Sequence, residues 1–177
     1  MNDNTLIESL KELCYFLENN GIEYTLVGGL AVGIWGVPRA TVDIDFLVSM
    51  KTDDYKILKK KVKESEKFIF IYDEPMTFAR ISFLRATLKS NKDISVDFLF
   101  ADDDFRNEAL KRKEIIRVAG FSVNVTTPED LIILKLLSSR KQDNLDAKKI
   151  LEIQKGNLDK EYIQKWANKL GIELKRD

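Results

Sequence analysis

The segment from Gly28 to Val48 constrains this chain more than any other, because it places two glycines directly behind one strand-like run and two acids, Asp43-Ile44-Asp45, inside the next. Ile22 to Val27 alternates and is rich in strand formers, so it predicts a strand that delivers Gly28-Gly29 at its end. Leu30 to Trp35 predicts a short helix that is apolar nearly all round and must therefore be buried. Gly36-Val37-Pro38 stops it, since proline disfavours helix in the residue before it. Thr41 to Val48 predicts a second strand, whose side chains alternate between faces. Asp43 and Asp45 then share one side, roughly 6 to 7 Å apart along the backbone, with Val42, Ile44, Phe46 and Val48 directed into a core. Glycines between a strand and a helix let backbone N–H groups crowd around an anion. Together the two features describe a place to hold a metal-bound nucleotide.

A third acid obeys the same parity. In Ile94-Ser95-Val96-Asp97-Phe98-Leu99-Phe100 the apolar Ile94, Val96, Phe98 and Phe100 share one face and Asp97 stands on the other. If the two strands are neighbours, Asp97 faces the same side as Asp43 and Asp45. Three carboxylates suit Mg²⁺, which takes oxygen ligands and leaves room for phosphate oxygens. A lone Asp-x-Asp more often flanks a strand and pairs with a cation, here Arg39 or a lysine. The glycine pair and the third acid are unrelated features that converge on the same point, and they favour the cation site.

What the chain lacks narrows the chemistry further. Its 177 residues contain no histidine, which removes Ser-His-Asp and Cys-His catalysis and His-Glu-x-x-His zinc sites. There is no Gly-Lys-Ser/Thr phosphate loop either. With 29 basic against 29 acidic residues the net charge is zero, so wholesale affinity for nucleic acid is not indicated. The single Cys14 falls among the apolar positions of the first helix, as expected of a buried thiol in a reducing compartment. No secretory segment and no run of about 18 apolar residues is evident, which predicts a cytoplasmic protein with no membrane partner. A chain of this length should bury roughly 70% of its unfolded surface, enough for a core without staples.

Elsewhere the pattern alternates helices and short strands. Thr5 and Glu8 predict a capping box opening a helix that Asn20-Gly21 ends. Asp53 to Glu66 predicts a helix with Tyr55, Leu58 and Val62 inward and a lysine-rich solvated face. Phe68 to Tyr72 predicts a strand, and Phe78 to Leu88 with Ile94 to Phe100 a hairpin across Ser90–Asp93. Asp102 to Arg112 predicts a helix with acids at its N-terminus. Ile115 to Val118 and Phe121 to Val125 predict a smaller hairpin around Ala119-Gly120. Thr127-Pro128-Glu129-Asp130 opens a helix to Ser139, followed by helices over Asp143–Gln154 and Asp159–Leu170.

These residues resemble the nucleotidyltransferase superfamily that includes DNA polymerase beta: Gly28-Gly29, then Asp43-Ile44-Asp45, then Asp97 in Val-Asp-Phe-Leu. The likeness is to small prokaryotic stand-alone members, including the abortive-infection type toxins, through Arg39-Ala-Thr41-Val-Asp43-Ile-Asp45 and Thr127-Pro128-Glu129-Asp130-Leu with Lys135, Arg140 and Asp143. It spans about residues 22 to 150. The resemblance implies an α+β fold, a mixed and mainly antiparallel sheet flanked by helices. The core would run over 1–126 with a C-terminal helical part, 127–177, packed on it as one compact domain. It further implies that Asp43 and Asp45 bind two Mg²⁺ with a nucleoside triphosphate, that Asp97 binds one and activates an acceptor hydroxyl, and that Gly28 and Gly29 cradle phosphates. Gly29 stands where many relatives carry serine.

Arg39 and Thr41 border this site and could contact the nucleotide, although Arg39 could equally neutralise Asp43. Lys135 is the one charge between Leu131 and Leu137, and is either a snorkelling lysine or a cation for phosphate or the acids. Asp143 and Asp146 fit simple capping of the following helix. The function expected is Mg²⁺-dependent transfer of a nucleotidyl group to a hydroxyl on RNA, protein or a small molecule, with release of pyrophosphate. Two other classes stay open: a non-catalytic nucleotide- or partner-binding protein of a toxin–antitoxin pair, and a metal-dependent nuclease or phosphohydrolase.

Overall fold

A computed structural model of the chain describes residues 3–36, 38, 40–138 and 140–174. Period-two alternation is realised as an eight-stranded sheet whose strands are β1 (Tyr24–Val27), β2 (Asp43–Val48), β3 (Phe68–Phe70), β4 (Met76–Phe78), β5 (Ile81–Leu88), β6 (Ser95–Phe100), β7 (Glu114–Val118) and β8 (Phe121–Val125). Their order is β3-β5-β6-β2-β1-β8-β7, with β4 paired to β5 off this path. The β2–β6 and β1–β8 pairs are parallel and the others antiparallel, so the sheet is mixed and mainly antiparallel. The helices are α1 (Asp3–Asn19), α2 (Gly28–Ile34), α3 (Tyr55–Glu64), α4 (Asp104–Arg112), α5 (Pro128–Ser138), α6 (Lys141–Ile153) and α7 (Lys160–Leu170). The architecture is α+β, as the sequence led us to expect.

The two sheet faces bury different partners. Ile44, Phe46, Val48, Val96, Phe98 and Phe100 join one apolar cluster with Leu10, Leu13 and Leu17 of α1 and Leu58 and Val62 of α3. Leu47, on the opposite parity, packs in a second cluster with Phe105 and Ala109 of α4, Leu134 of α5 and Trp166 of α7. Asp43, Asp45 and Asp97 share the parity of Leu47 and Leu99, on the second face. Trp35, just past α2, donates its indole N–H to the Thr126 carbonyl (2.9 Å), and Gln154 donates to the Trp35 carbonyl (3.0 Å). These bonds tie the end of α2 to the flanks of α5 and α6.

Several boundaries differ from the sequence expectation. Helix α1 already includes Asp3 and Asn4, so Thr5 lies within it and the capping box is not its start. Strand β2 begins at Asp43, which leaves Val42 outside the ladder and 46% exposed instead of in the core. Phe78 does not lead into β5: Ala79 and Arg80, both with positive φ (47° and 65°), turn the chain so that Met76–Phe78 forms the separate strand β4. Helix α6 begins at Lys141, placing Asp143 inside its first turn. The start of α5 is as expected, with the Thr127 hydroxyl accepting from the Asp130 amide at 3.3 Å. Among the described residues no helix is long and apolar enough to cross a membrane.

Candidate active site

Strand pairing brings the three predicted acids to one place. Asp43 and Asp45 of β2 face Ser95 and Asp97 of β6 across the parallel pair, so Asp45 and Asp97 are direct Cα partners. A cavity of about 1050 Å³ opens over them, lined also by Gly28, Gly29, Thr41, Arg85, Lys135 and Arg140. The half-buried Asp45 is the acid under most pressure. Burial pushes its carboxyl up to about 7, the negative charges of Asp97 and Asp43 add to the rise, and Lys135 and Arg85 pull against it.

Gly28 has a specific reason to be glycine. Its φ is +67°, and a Cβ placed on it would sit 1.8 Å from Oδ2 of Asp45. The first acid-bearing strand and the glycine turn are thus one packed unit. Gly29 is buried in the first turn of α2 and also lines the cavity.

Asp97 has a partner that the sequence reading missed. Arg85 of β5 is its Cα partner across the antiparallel β5–β6 pair. The guanidinium grips both carboxylate oxygens, Nε to Oδ1 at 2.7 Å and Nη2 to Oδ2 at 2.5 Å. This is the planar two-bond match of arginine to carboxylate. Burial pushes the Asp97 carboxyl up overall, although Arg85 works against the rise, and the bond to Asp97 holds Arg85 more firmly protonated. A sequence signal existed: Arg85 is the one charge within Ile81–Leu88, on the parity of Ile81 and Phe83 and opposite the buried Leu84, Ala86 and Leu88.

Lys135 does not snorkel. It is 5% exposed, and its ammonium donates to Asp143 at 2.7 Å and pairs with Asp146 at 3.4 Å. Asp143 also receives Ser138 Oγ and Arg140 Nε. Burial works to raise the Asp143 carboxyl, but these donors outweigh it and hold it below its ordinary value. Asp143 and Asp146 are therefore buried counter-ions to Lys135 and not helix caps: the residue preceding α6 makes no side-chain cap bond. Ion pairing won over capping because a buried ammonium needs a partner more than a helix end needs an acid.

Thr41 spends its hydroxyl locally, accepting from the Asp43 amide at 3.3 Å, which braces the start of β2. Arg39 lies outside the described residues. Among the described residues no three acids are gathered into a ready metal cage, with both Asp97 oxygens held by Arg85. The donor set nevertheless fits Mg²⁺. It offers hard carboxylate oxygens and no soft ligand, and burial, with the charges of Asp97 and Asp43 added to it, raises the Asp45 carboxyl, a cost that a divalent cation would offset.

This mixed sheet is that of a nucleotidyltransferase. The chain belongs to the family described as nucleotidyl transferase of unknown function (DUF2204), whose match covers residues 6–174. Solved structures agree on the fold. The antibiotic-resistance factor ANT(2'')-Ia superimposes with a TM-score of 0.63 at 14% identity, over 95% of this chain and 94% of that one. An antigenic nucleotidyltransferase-like protein from Paracoccidioides brasiliensis gives 0.56 at 15% identity, over 99% and 96%. The lincosamide antibiotic adenylyltransferase LnuA in its lincomycin-bound form gives 0.55 at 14%, over 82% and 96%. No curated protein matches the chain in sequence.

Proposed function

We propose that this nucleotidyltransferase moves a nucleoside monophosphate from an Mg²⁺-bound triphosphate to a hydroxyl of a small acceptor with an apolar body. The observation that carries the reading is the direct pairing of Asp45 with Asp97 beneath a cavity that Gly28 also borders. Asp43 and Asp45 would hold the metal ions with the triphosphate, Asp97 would share one of them, and Gly28, Gly29, Thr41 and Lys135 would border the phosphates. Bound Mg²⁺ supplies charge neutralisation at the transferring phosphoryl group. The acceptor oxygen bonds to the α-phosphorus as the bond to the β-phosphate oxygen breaks. The acceptor proton passes to the Asp97 carboxylate, and pyrophosphate leaves. Positioning and charge stabilisation provide most of the rate in such a transfer.

Strand order supports this reading of the acceptor side. Phosphate-side glycines adjoin β1 and β2, whereas β5 and β4 extend beyond Asp97 in the opposite direction. There the cavity wall is apolar, with Met76, Phe78, Ile81 and Phe83. Phe78 is 52% exposed, with the Arg140 guanidinium 5.6 Å from its ring centre. Among the described residues the β4–β5 part of the wall offers Met76, Phe78, Ile81 and Phe83 with Arg85 as its one charge, which suits an apolar surface better than a polycation. The fold also occurs with adenylyl-2''-tobramycin bound in ANT(2'')-Ia, which supports a small-molecule acceptor and not its apolar body.

The test is incubation with Mg²⁺ and each α-labelled nucleoside triphosphate, with small-molecule extract, total RNA or cell protein as acceptor. Label moving into the small-molecule fraction, and lost in Asp43→Ala, supports the proposal. Label entering RNA or protein would replace the acceptor assignment, and mononucleotides released from RNA would indicate a nuclease.

A further inference from the structure

We infer that Arg85 is a latch on the metal-binding acid Asp97: its guanidinium occupies the carboxylate while the divalent cation is absent and gives it up when the cation arrives with the nucleotide. The inference rests on the metal role proposed above for Asp97. Its own evidence is geometric. Arg85 and Asp97 face each other across a ladder pair, so their approach is fixed by backbone register and not by chance contact of long side chains. Both carboxylate oxygens are engaged, at 2.7 and 2.5 Å. Asp97 is 6% exposed, whereas the Arg85 side chain is 36% exposed and borders the cavity. The acid is therefore fixed and the cation has room to move. The Phe83 ring flanks the guanidinium even while it holds Asp97, 5.6 Å from ring centre to guanidinium carbon, so an aromatic surface lines the side chain's surroundings.

A positive charge beside three acids has two opposed effects. It steadies the acids when no metal is present, because Asp43, Asp45 and Asp97 would otherwise repel one another. It also competes with a divalent ion for the same oxygens, so metal alone binds weakly. A triphosphate changes this balance by bringing metal and, in its own oxygens, an alternative partner for the released guanidinium. Arg85 is thus a positioning residue that couples metal binding to nucleotide binding, and loss of it should separate the two.

The experiment titrates Mn²⁺ into the nucleotide-free protein and follows the free-ion signal by electron paramagnetic resonance. It uses wild type, Arg85→Ala, Arg85→Lys and Asp97→Asn. Removing a competing charge-assisted pair should tighten Mn²⁺ binding by about 10-fold in Arg85→Ala, with Arg85→Lys, which keeps the charge and loses the two-bond grip, in between. Adding a non-hydrolysable ATP analogue should tighten Mn²⁺ binding in wild type and do so much less in Arg85→Ala. A purely structural arginine would leave affinity unchanged or lower it, and either result in Arg85→Ala overturns the latch. Should Arg85→Ala fail to fold, the lysine variant serves: Mn²⁺ binding tighter than in wild type with a weaker nucleotide dependence supports the latch, and affinity and coupling equal to wild type oppose it. Failure of the metal reading looks different, with no Mn²⁺ bound by any variant even with nucleotide, and it removes the latch as well.

Discussion

Oδ2 of Asp45 fills the space where a Gly28 side chain would be, at 1.8 Å from an ideal Cβ. Gly28→Ala must therefore displace the Asp45 carboxylate and also strain a backbone at φ +67°. We expect a loss of stability of at least about 2 kcal/mol and of nucleotide binding with it. Gly33→Ala provides the contrast, because nothing lies within 4 Å of its Cβ position in the same helix. That variant should gain about 0.5–1 kcal/mol. Urea denaturation of the two proteins checks both.

Lys135 neutralises two buried acids, and Lys135→Met would leave Asp143 and Asp146 without their shared cation. Breaking a buried ion pair from one side costs about 3–5 kcal/mol. Adding Asp146→Asn to Lys135→Met should recover part of it. Equilibrium unfolding of the single and double variants measures the difference.

Asp45 makes the metal-free protein sensitive to pH. Its folded carboxyl titrates at about 7, above the ordinary 3.8, so the folded state holds the proton that the unfolded state releases. The resulting stability is full below the ordinary value and is lost as pH rises through about 7. Between pH 5 and about 8 the melting temperature of wild type should fall relative to that of Asp45→Asn, when both are measured with a chelator present. Saturating Mg²⁺ should shrink the difference, because the cation favours the ionised carboxylate.

Phe78 tests the acceptor wall. With 52% of it exposed and its ring beside the cavity, Phe78→Ala should leave the fold intact. The acceptor KM should rise about 10-fold with the nucleotide KM unchanged. Steady-state kinetics with either substrate varied separates the two.

Much of the site was legible because strand parity is local. The two-residue period put Asp43 with Asp45 and set Asp97 against Val96 and Phe98 without any tertiary information. Their adjacency was not legible, since β2 and β6 are parallel and β3, β4 and β5 intervene in sequence. Arg85 was passed over for the same reason: its importance comes from the residue across the ladder, which a single strand does not reveal. Phe78 reads as part of β5 in the sequence because Ala79-Arg80 turns without glycine, proline or asparagine. Asp143 was misread because a capping acid and a buried counter-ion have the same sequence appearance near a helix start, and only the position of Lys135 distinguishes them.

The paired acids beneath the glycine turn are best tested by transfer of label from an α-labelled nucleoside triphosphate, with Mg²⁺ and a small-molecule extract, in wild type and Asp45→Asn. We expect a labelled product and pyrophosphate from wild type, and a loss of about 10³-fold or more in the variant while it remains folded. Equal labelling by folded Asp45→Asn would contradict the assignment of this site.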